Sequence, residues 1–186
     1  MGKQFSEIQN EHMEFIQKQH LFFVGTAPLS KGGHVNLSPK GYDTLRVLSA
    51  TEVAYLDLTG SGNETSGHIE ENGRITFMFC AFEGPPRILR LYGTGNVILP
   101  DSENWDTYVK HFDLLPGTRQ IITANIHKIT TSCGYSIPFM DFAGERETLN
   151  ISNTKKGPKL ENYRREKNAK TIDGLETTLG KKLTGE

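Results

Sequence analysis

Strand-length apolar runs separated by closely spaced turns make up most of this chain, and that rhythm limits its folds more than any single residue does. Leu21-Phe22-Phe23-Val24-Gly25-Thr26-Ala27 reads as a buried strand ended by the turn from Pro28 to Gly33, and Val35 to Ser38 returns beside it as the second arm of a hairpin. Thr44 to Leu48, Val53 to Leu58 and Arg74 to Phe82 carry the same signal. Glu83-Gly84-Pro85-Pro86 makes a turn, and Arg87 to Leu99 is a long strand with Leu89 and Leu91 on alternating positions. Arg119 to Ile137 supplies one more long strand or pair, broken at Gly134. Helical signals are fewer. Ser6 is a candidate N-cap for a stripe of Ile8, His12, Phe15 and Ile16, a second helix is expected from Asn63 to Glu71 with Gly73 closing it, and a crossover helix near Ser102 to Phe112. Six or more mostly antiparallel strands with few helices argue for a closed or partly closed barrel over an open parallel sheet.

A chain of 186 residues can bury one real core, and its 19 glycines and 8 prolines suit many turns better than long helices. Net charge is −1, so nothing global steers the molecule to nucleic acid or an anionic membrane, and no apolar run approaches the roughly 20 residues of a spanning helix. Cys80 and Cys133 form no CxxC pair and follow no secretory leader pattern, which points to a cytoplasmic protein. The six histidines show no HxxxH or HExxH spacing, so no metal site is expected. Charge is unevenly spread. From Lys155 onward the chain carries nine of the 21 Lys and Arg against five acidic side chains. A terminus of this kind is ordinarily a solvated, partly ordered extension; its basic character offers the other outcome, that it folds back on an acidic face.

Two polar stretches interrupt the apolar rhythm. His34-Val35-Asn36-Leu37-Ser38-Pro39-Lys40-Gly41 ends one strand with a hydroxyl and a cation, and Thr59-Gly60-Ser61-Gly62-Asn63-Glu64-Thr65 is a glycine-rich turn opening a helix. Ser38, Lys40 and N–H groups at a helix N-terminus are what a phosphate monoester needs around it. The bland alternative is a strand-ending turn with a solvated lysine and a turn that only caps its helix.

Phe22-Phe23-Val24-Gly25-Thr26, Val35 to Gly41, Tyr55 to Asn63, Arg74-Ile75-Thr76, Gly84-Pro85-Pro86-Arg87-Ile88-Leu89-Arg90 and Ser132-Cys133-Gly134-Tyr135, in that order after an N-terminal helix, resemble the pyridoxamine 5′-phosphate oxidase-like proteins. The resemblance implies a mainly β fold with flanking helices, a six-stranded antiparallel split β-barrel over residues 1–150, with a basic, partly helical extension over 151–186. It implies a homodimer holding flavin mononucleotide (FMN) in a groove between subunits, for which Phe77, Phe79 and Leu89 would offer apolar surface. Cofactor contacts would come from Asn36 and Leu37 beside the ring, Ser38 and Lys40 toward the phosphate, Asn63 and Thr65 in the turn, and Arg87 from a neighbouring strand. Many relatives carry an arginine directly after the asparagine of this turn, where this chain has Glu64. The implied activity is flavin-dependent oxidoreduction with a small-molecule substrate or reduced nicotinamide; the alternative is a non-catalytic flavin, haem or deazaflavin binder of the same fold. Pyridoxamine 5′-phosphate oxidases themselves resemble one another in a C-terminal tryptophan and an Arg-Leu-Ala-Pro-like run, whereas Trp105 is this chain's only tryptophan, so that activity is not expected.

Overall fold

The computed structural model describes residues 2–185. Eight strands form one antiparallel sheet: β1 (Gln4–Phe5), β2 (Phe22–Thr26), β3 (Asn36–Lys40), β4 (Leu45–Ser49), β5 (Glu52–Leu58), β6 (Arg74–Cys80), β7 (Ile88–Ile98) and β8 (Thr118–Ser132). The hydrogen-bonded order is β3-β2-β6-β7-β8-β5-β4, with β1 added on β8. Among the described residues this path does not close, so the expected six-stranded barrel is corrected to an eight-stranded sheet with free edges at β3 and β4. Two residues of β1 are too few to show a period, and Pro39 suits β3 to an edge because it has no N–H to give an outer neighbour.

The sheet nonetheless curls on itself. Phe22 of β2 meets Tyr55 of β5 edge-on with ring centroids 5.7 Å apart, and Tyr55 meets Phe77 of β6 at 6.0 Å, although β5 stands four strands from β2 along the path. Val24, Val53, Leu89, Leu91, Ile126 and Ile129 fill the same interior. Phe77, Phe79 and Leu89 are fully buried in this core, which overturns the expectation that they offer surface to a partner; strand alternation points them inward. A second apolar layer, Ala54, Leu56, Ile98, Phe112 and Ile121, lies under Trp105 and Tyr108 of the short helix α3 (Trp105–Val109).

Helix α1 (Asn10–Gln17) starts later than Ser6 suggested: Gln9 is its N-cap and donates its backbone N–H to His12 Nδ1 at 3.1 Å. Helix α2 (Glu64–Asn72) ends as expected on Gly73, whose φ of 70° lets its N–H reach the Ile69 carbonyl at 2.8 Å. No helix among the described residues is long and apolar enough to cross a membrane.

The C-terminal helices α4 (Thr148–Lys156), α5 (Lys159–Lys167) and α6 (Thr178–Thr184) pack back on the sheet and on α2. Asn153, buried, donates to the carbonyls of Thr59 and Pro116, and Arg164 donates to Thr59 Oγ1 and to the carbonyls of Gly117 and Thr118. Gly67 and Gly117 allow this approach, since a Cβ there would run into Thr171 and Asn153 respectively. Lys181 and Lys182 pair with Glu70 and Asp101, so the basic tail does meet acidic groups. In this tail Ile172 is 73% exposed, whereas Leu179 is buried.

Candidate functional site

A cleft of about 510 Å³ opens where the end of β3, the end of β5 and the start of α2 converge, with Arg119 of β8 in its lining. Its foundation is a buried carboxylate. Asp57, in the middle of an otherwise apolar strand end, accepts hydrogen bonds from Lys40 Nζ at 2.9 Å, Arg119 Nε at 2.8 Å and Gln120 Nε2 at 2.8 Å. Burial alone would raise its pKa; the guanidinium of Arg119 and then the ammonium of Lys40 outweigh it and hold the carboxyl well below the usual carboxylate range. Three donors on one buried anion fix β3, β5 and β8 relative to each other, closing by side chains the gap that no backbone ladder closes.

From this base the polar groups are tied outward. Arg119 Nη1 donates to the Gly62 carbonyl at 2.8 Å, and Gln120 Nε2 also donates to Asn63 Oδ1 at 2.9 Å, so the glycine turn is held from beneath. Ser66 and Gly67 N–H both reach back to the Asn63 carbonyl. Helix geometry leaves the N–H groups of Glu64 and Thr65 without an intrahelical acceptor at the cleft wall. Opposite, Asn36 Nδ2 donates to Thr26 Oγ1 at 3.2 Å and Thr65 Oγ1 at 3.1 Å, and its Oδ1 accepts from Ser38 Oγ at 2.9 Å. Thr26 Oγ1 lies 3.0 Å from Nδ1 of His68, whose burial lowers its pKa. Tyr42 lines the mouth with φ of 59°, a left-handed conformation costing about 1–2 kcal/mol, and its hydroxyl donates to the Arg146 carbonyl.

The structure gathers Asn36, Ser38, Lys40, Asn63 and Thr65 into this one cleft. Leu37 has the opposite parity on β3, and its side chain is 63% exposed, facing away. Arg87 does not join them. It sits in a larger cleft of about 910 Å³ between α1, the turn before β7 and residues 140–142, paired with Glu11 at 3.3 Å and over the Phe15 ring. Arg90 is also elsewhere, donating to Ser132 Oγ. Asp57, Arg119 and Gln120 escaped the sequence reading, although one signal was present: charged or amide residues inside apolar strand runs are seldom buried unless paired. Glu64 does face the cleft, and its Oε2 accepts the Ile172 N–H at 3.1 Å. Neither cysteine lines the cleft.

Residues 8–133 match the family model described as pyridoxamine 5′-phosphate oxidase. A pyridoxamine 5′-phosphate oxidase family protein of Aspergillus flavus, ustO, is 42% identical over 148 residues, covering 77% of this chain. The alignment takes in 59% of that relative, so the chain spans little more than half its length. A HupZ variant of Group A Streptococcus is 21% identical, with a TM-score of 0.53 over 67% of this chain and 99% of that one. A Lactobacillus delbrueckii protein provisionally described as a pyridoxamine 5′-phosphate oxidase is 13% identical, with a TM-score of 0.51 over 67% and 94%. These two likenesses show the fold. The family match takes in β2 to β8 and the whole cleft floor and ends before α4, so β1 and the three C-terminal helices lie outside it.

Proposed function

The chain belongs to the pyridoxamine 5′-phosphate oxidase family, and from that premise we propose that it binds FMN in the cleft between β3, β5 and α2 and acts as a flavin-dependent oxidoreductase. The observation that carries this reading is the convergence of Lys40, Ser38 and the open N–H groups of a helix N-terminus on one cleft of ligand size. Lys40 gives one of its three N–H donors to Asp57 and keeps the others for a phosphate; Ser38 and Thr65 add hydroxyls, and the N–H groups of Glu64 and Thr65 add backbone donors. Glu64 is the one anion among these groups, and its engagement with Ile172 draws one oxygen aside.

Beside the phosphate end, β3 is an edge strand bonded only to β2. Its outer backbone groups are therefore available to the polar edge of a flavin ring, and Leu37 would contribute through its backbone, since its side chain points elsewhere. Asn36, spent on Thr26, Thr65 and Ser38, would shape the wall. Bound FMN supplies a ring that takes up or gives back a hydride, so this chain's own residues need only position it and the substrate. A homodimer is part of the proposal: Val35 and Leu37 are exposed apolar side chains beside the cleft, and Arg87 would meet a flavin only from a second chain. Arg164 and Arg165 are engaged with Thr59 and Glu161, which leaves a second substrate phosphate without donors from the tail and argues against pyridoxamine 5′-phosphate as substrate.

The test is a visible spectrum of the purified protein supplied with FMN, before and after reduced nicotinamide. A bound-flavin spectrum that bleaches supports the oxidoreductase; a bound flavin that no donor reduces leaves a carrier; no bound flavin ends the proposal.

A further inference from the structure

One cation in the cleft is not used by that assignment. Arg119 is 4% exposed, yet it belongs to the cleft lining. Its fork is half committed: Nε to Asp57 and Nη1 to the Gly62 carbonyl. Nη2 has no hydrogen-bond partner among the described residues. Asp57 cannot neutralise it alone, because Lys40 draws on the same carboxylate. Arg164 adds a further positive charge close by; burial, and then the charge of Arg119, lower its pKa. A buried guanidinium with open donors, in a cluster where cations outnumber the carboxylate, is costly until an anion completes it. The open N–H groups of Glu64 and Thr65 stand on the same cleft, so the helix end and the guanidinium would address one ligand atom group.

We propose that Arg119, positioned by Asp57, is the binding residue that reads the anionic end of the ligand and sets the preference of this cleft for a phosphorylated flavin over the unphosphorylated one. This rests on the flavin reading above. Asp57 is a positioning residue: it holds Nε so that the remaining edge of the fork faces the cleft, and it shares Lys40 with the same task. The glycine turn takes part through the Gly62 carbonyl, so Arg119 fixes the turn and the ligand phosphate with one planar group. Lysine could not do both, because its single nitrogen lacks the rigid fork.

The experiment titrates wild type, Arg119→Lys and Arg119→Gln with FMN, riboflavin and inorganic phosphate separately, following flavin fluorescence for the first two and thermal stabilisation for the third. Wild type should prefer FMN to riboflavin; in both variants FMN affinity should fall about 10- to 100-fold, the scale of a lost charge-assisted contact, with riboflavin affinity unchanged within about twofold. Removing Arg119 alone leaves the buried Asp57 with Lys40 as its one cationic partner, so the double variant Asp57→Asn/Arg119→Gln is measured beside it; it should lose the same preference with its fold intact by circular dichroism. An FMN-to-riboflavin ratio that survives in the single and double variants overturns the proposal. A wild type that is stabilised by phosphate in an Arg119-dependent way but binds neither flavin keeps the anion site and ends the flavin reading. A wild type that responds to none of the three ends both.

Discussion

The two clefts of this protein are built by opposite means. The smaller one is floored by Asp57, Arg119, Lys40 and Gln120, all on strands of one curled sheet, the last three each donating to Asp57 at 2.8–2.9 Å. The larger one lies between α1 and two loops, with a half-exposed ion pair of Arg87 and Glu11 and a stack of His20 on Phe142 as its ordered features. Size favours the second, while preorganisation favours the first. Polar side chains that are buried and bonded around one carboxylate have already lost much of their freedom, so binding a ligand there costs little further ordering entropy. Surface pairs on loops hold no such geometry in advance. The difference teaches that the proposed site is chosen for the charge it keeps indoors, not for the volume it opens.

Asp57→Ala attacks that distinction hardest. It strands Arg119 in the interior and should cost about 3–5 kcal/mol in chemical denaturation, the scale of breaking a buried pair from one side. The same carboxylate predicts a pH dependence. Its folded pKa is depressed, so its contribution is fully present above the unfolded carboxylate value of about 3.9 and is lost as pH falls through the lower folded value. Wild-type stability should therefore decline below about pH 4, and Asp57→Asn should show a shallower decline there by one proton. An Asp57→Ala protein within about 1 kcal/mol of wild type would mean that the buried cluster does not organise the cleft.

Lys40→Ala tests the same cleft through its ligand. It removes a cation whose remaining donors face the cleft, and FMN binding should weaken by about 1.5–3 kcal/mol, a ten- to hundredfold rise in Kd by fluorescence titration. Unchanged affinity would put the phosphate elsewhere. Gly67→Ala sharpens the comparison from the side of α2: the new methyl meets Thr171 and should lower stability by about 1–3 kcal/mol by overpacking. Hydrogen exchange should quicken in residues 168–180, and an unaltered exchange pattern would show the C-terminal segment free to retreat without cost. Glu11→Gln, in the larger cleft, should change stability by less than about 1 kcal/mol, as exposed ion pairs do. A larger loss would erase the contrast between the clefts.

The alternating apolar runs were enough to place β2 through β8 within a few residues, because a half-buried strand must alternate and most of the turns between them carried glycine or proline. They could not give β1, whose two residues have no period, nor show that the sheet ends at β3 and β4 without closing. Asn36, Ser38 and Lys40 could be nominated because they stand together at a strand end, and Thr65 because it follows a glycine turn; the structure brings the four into one cleft. Arg119 was missed for a physical reason: its partner Asp57 lies 62 positions earlier, and only β5–β8 pairing brings the two together. Arg87 illustrates the converse. A run of matching residues nominated it, but alternation along β7 and the turn before it set its side chain against α1. The charge asymmetry of the tail hinted at its return to the body, while the partners that hold it, Asn153 and Arg164 on backbone carbonyls, carry no periodic signal at all.

The most direct measurement is a backbone amide map of the isotopically labelled protein during titration with FMN. The open N–H groups of Glu64 and Thr65, with the amides of residues 36–38 on the edge strand, should move furthest and saturate together with the flavin fluorescence. A flavin that binds while the Glu64 and Thr65 amides stay in place would contradict the assignment of its phosphate to this cleft.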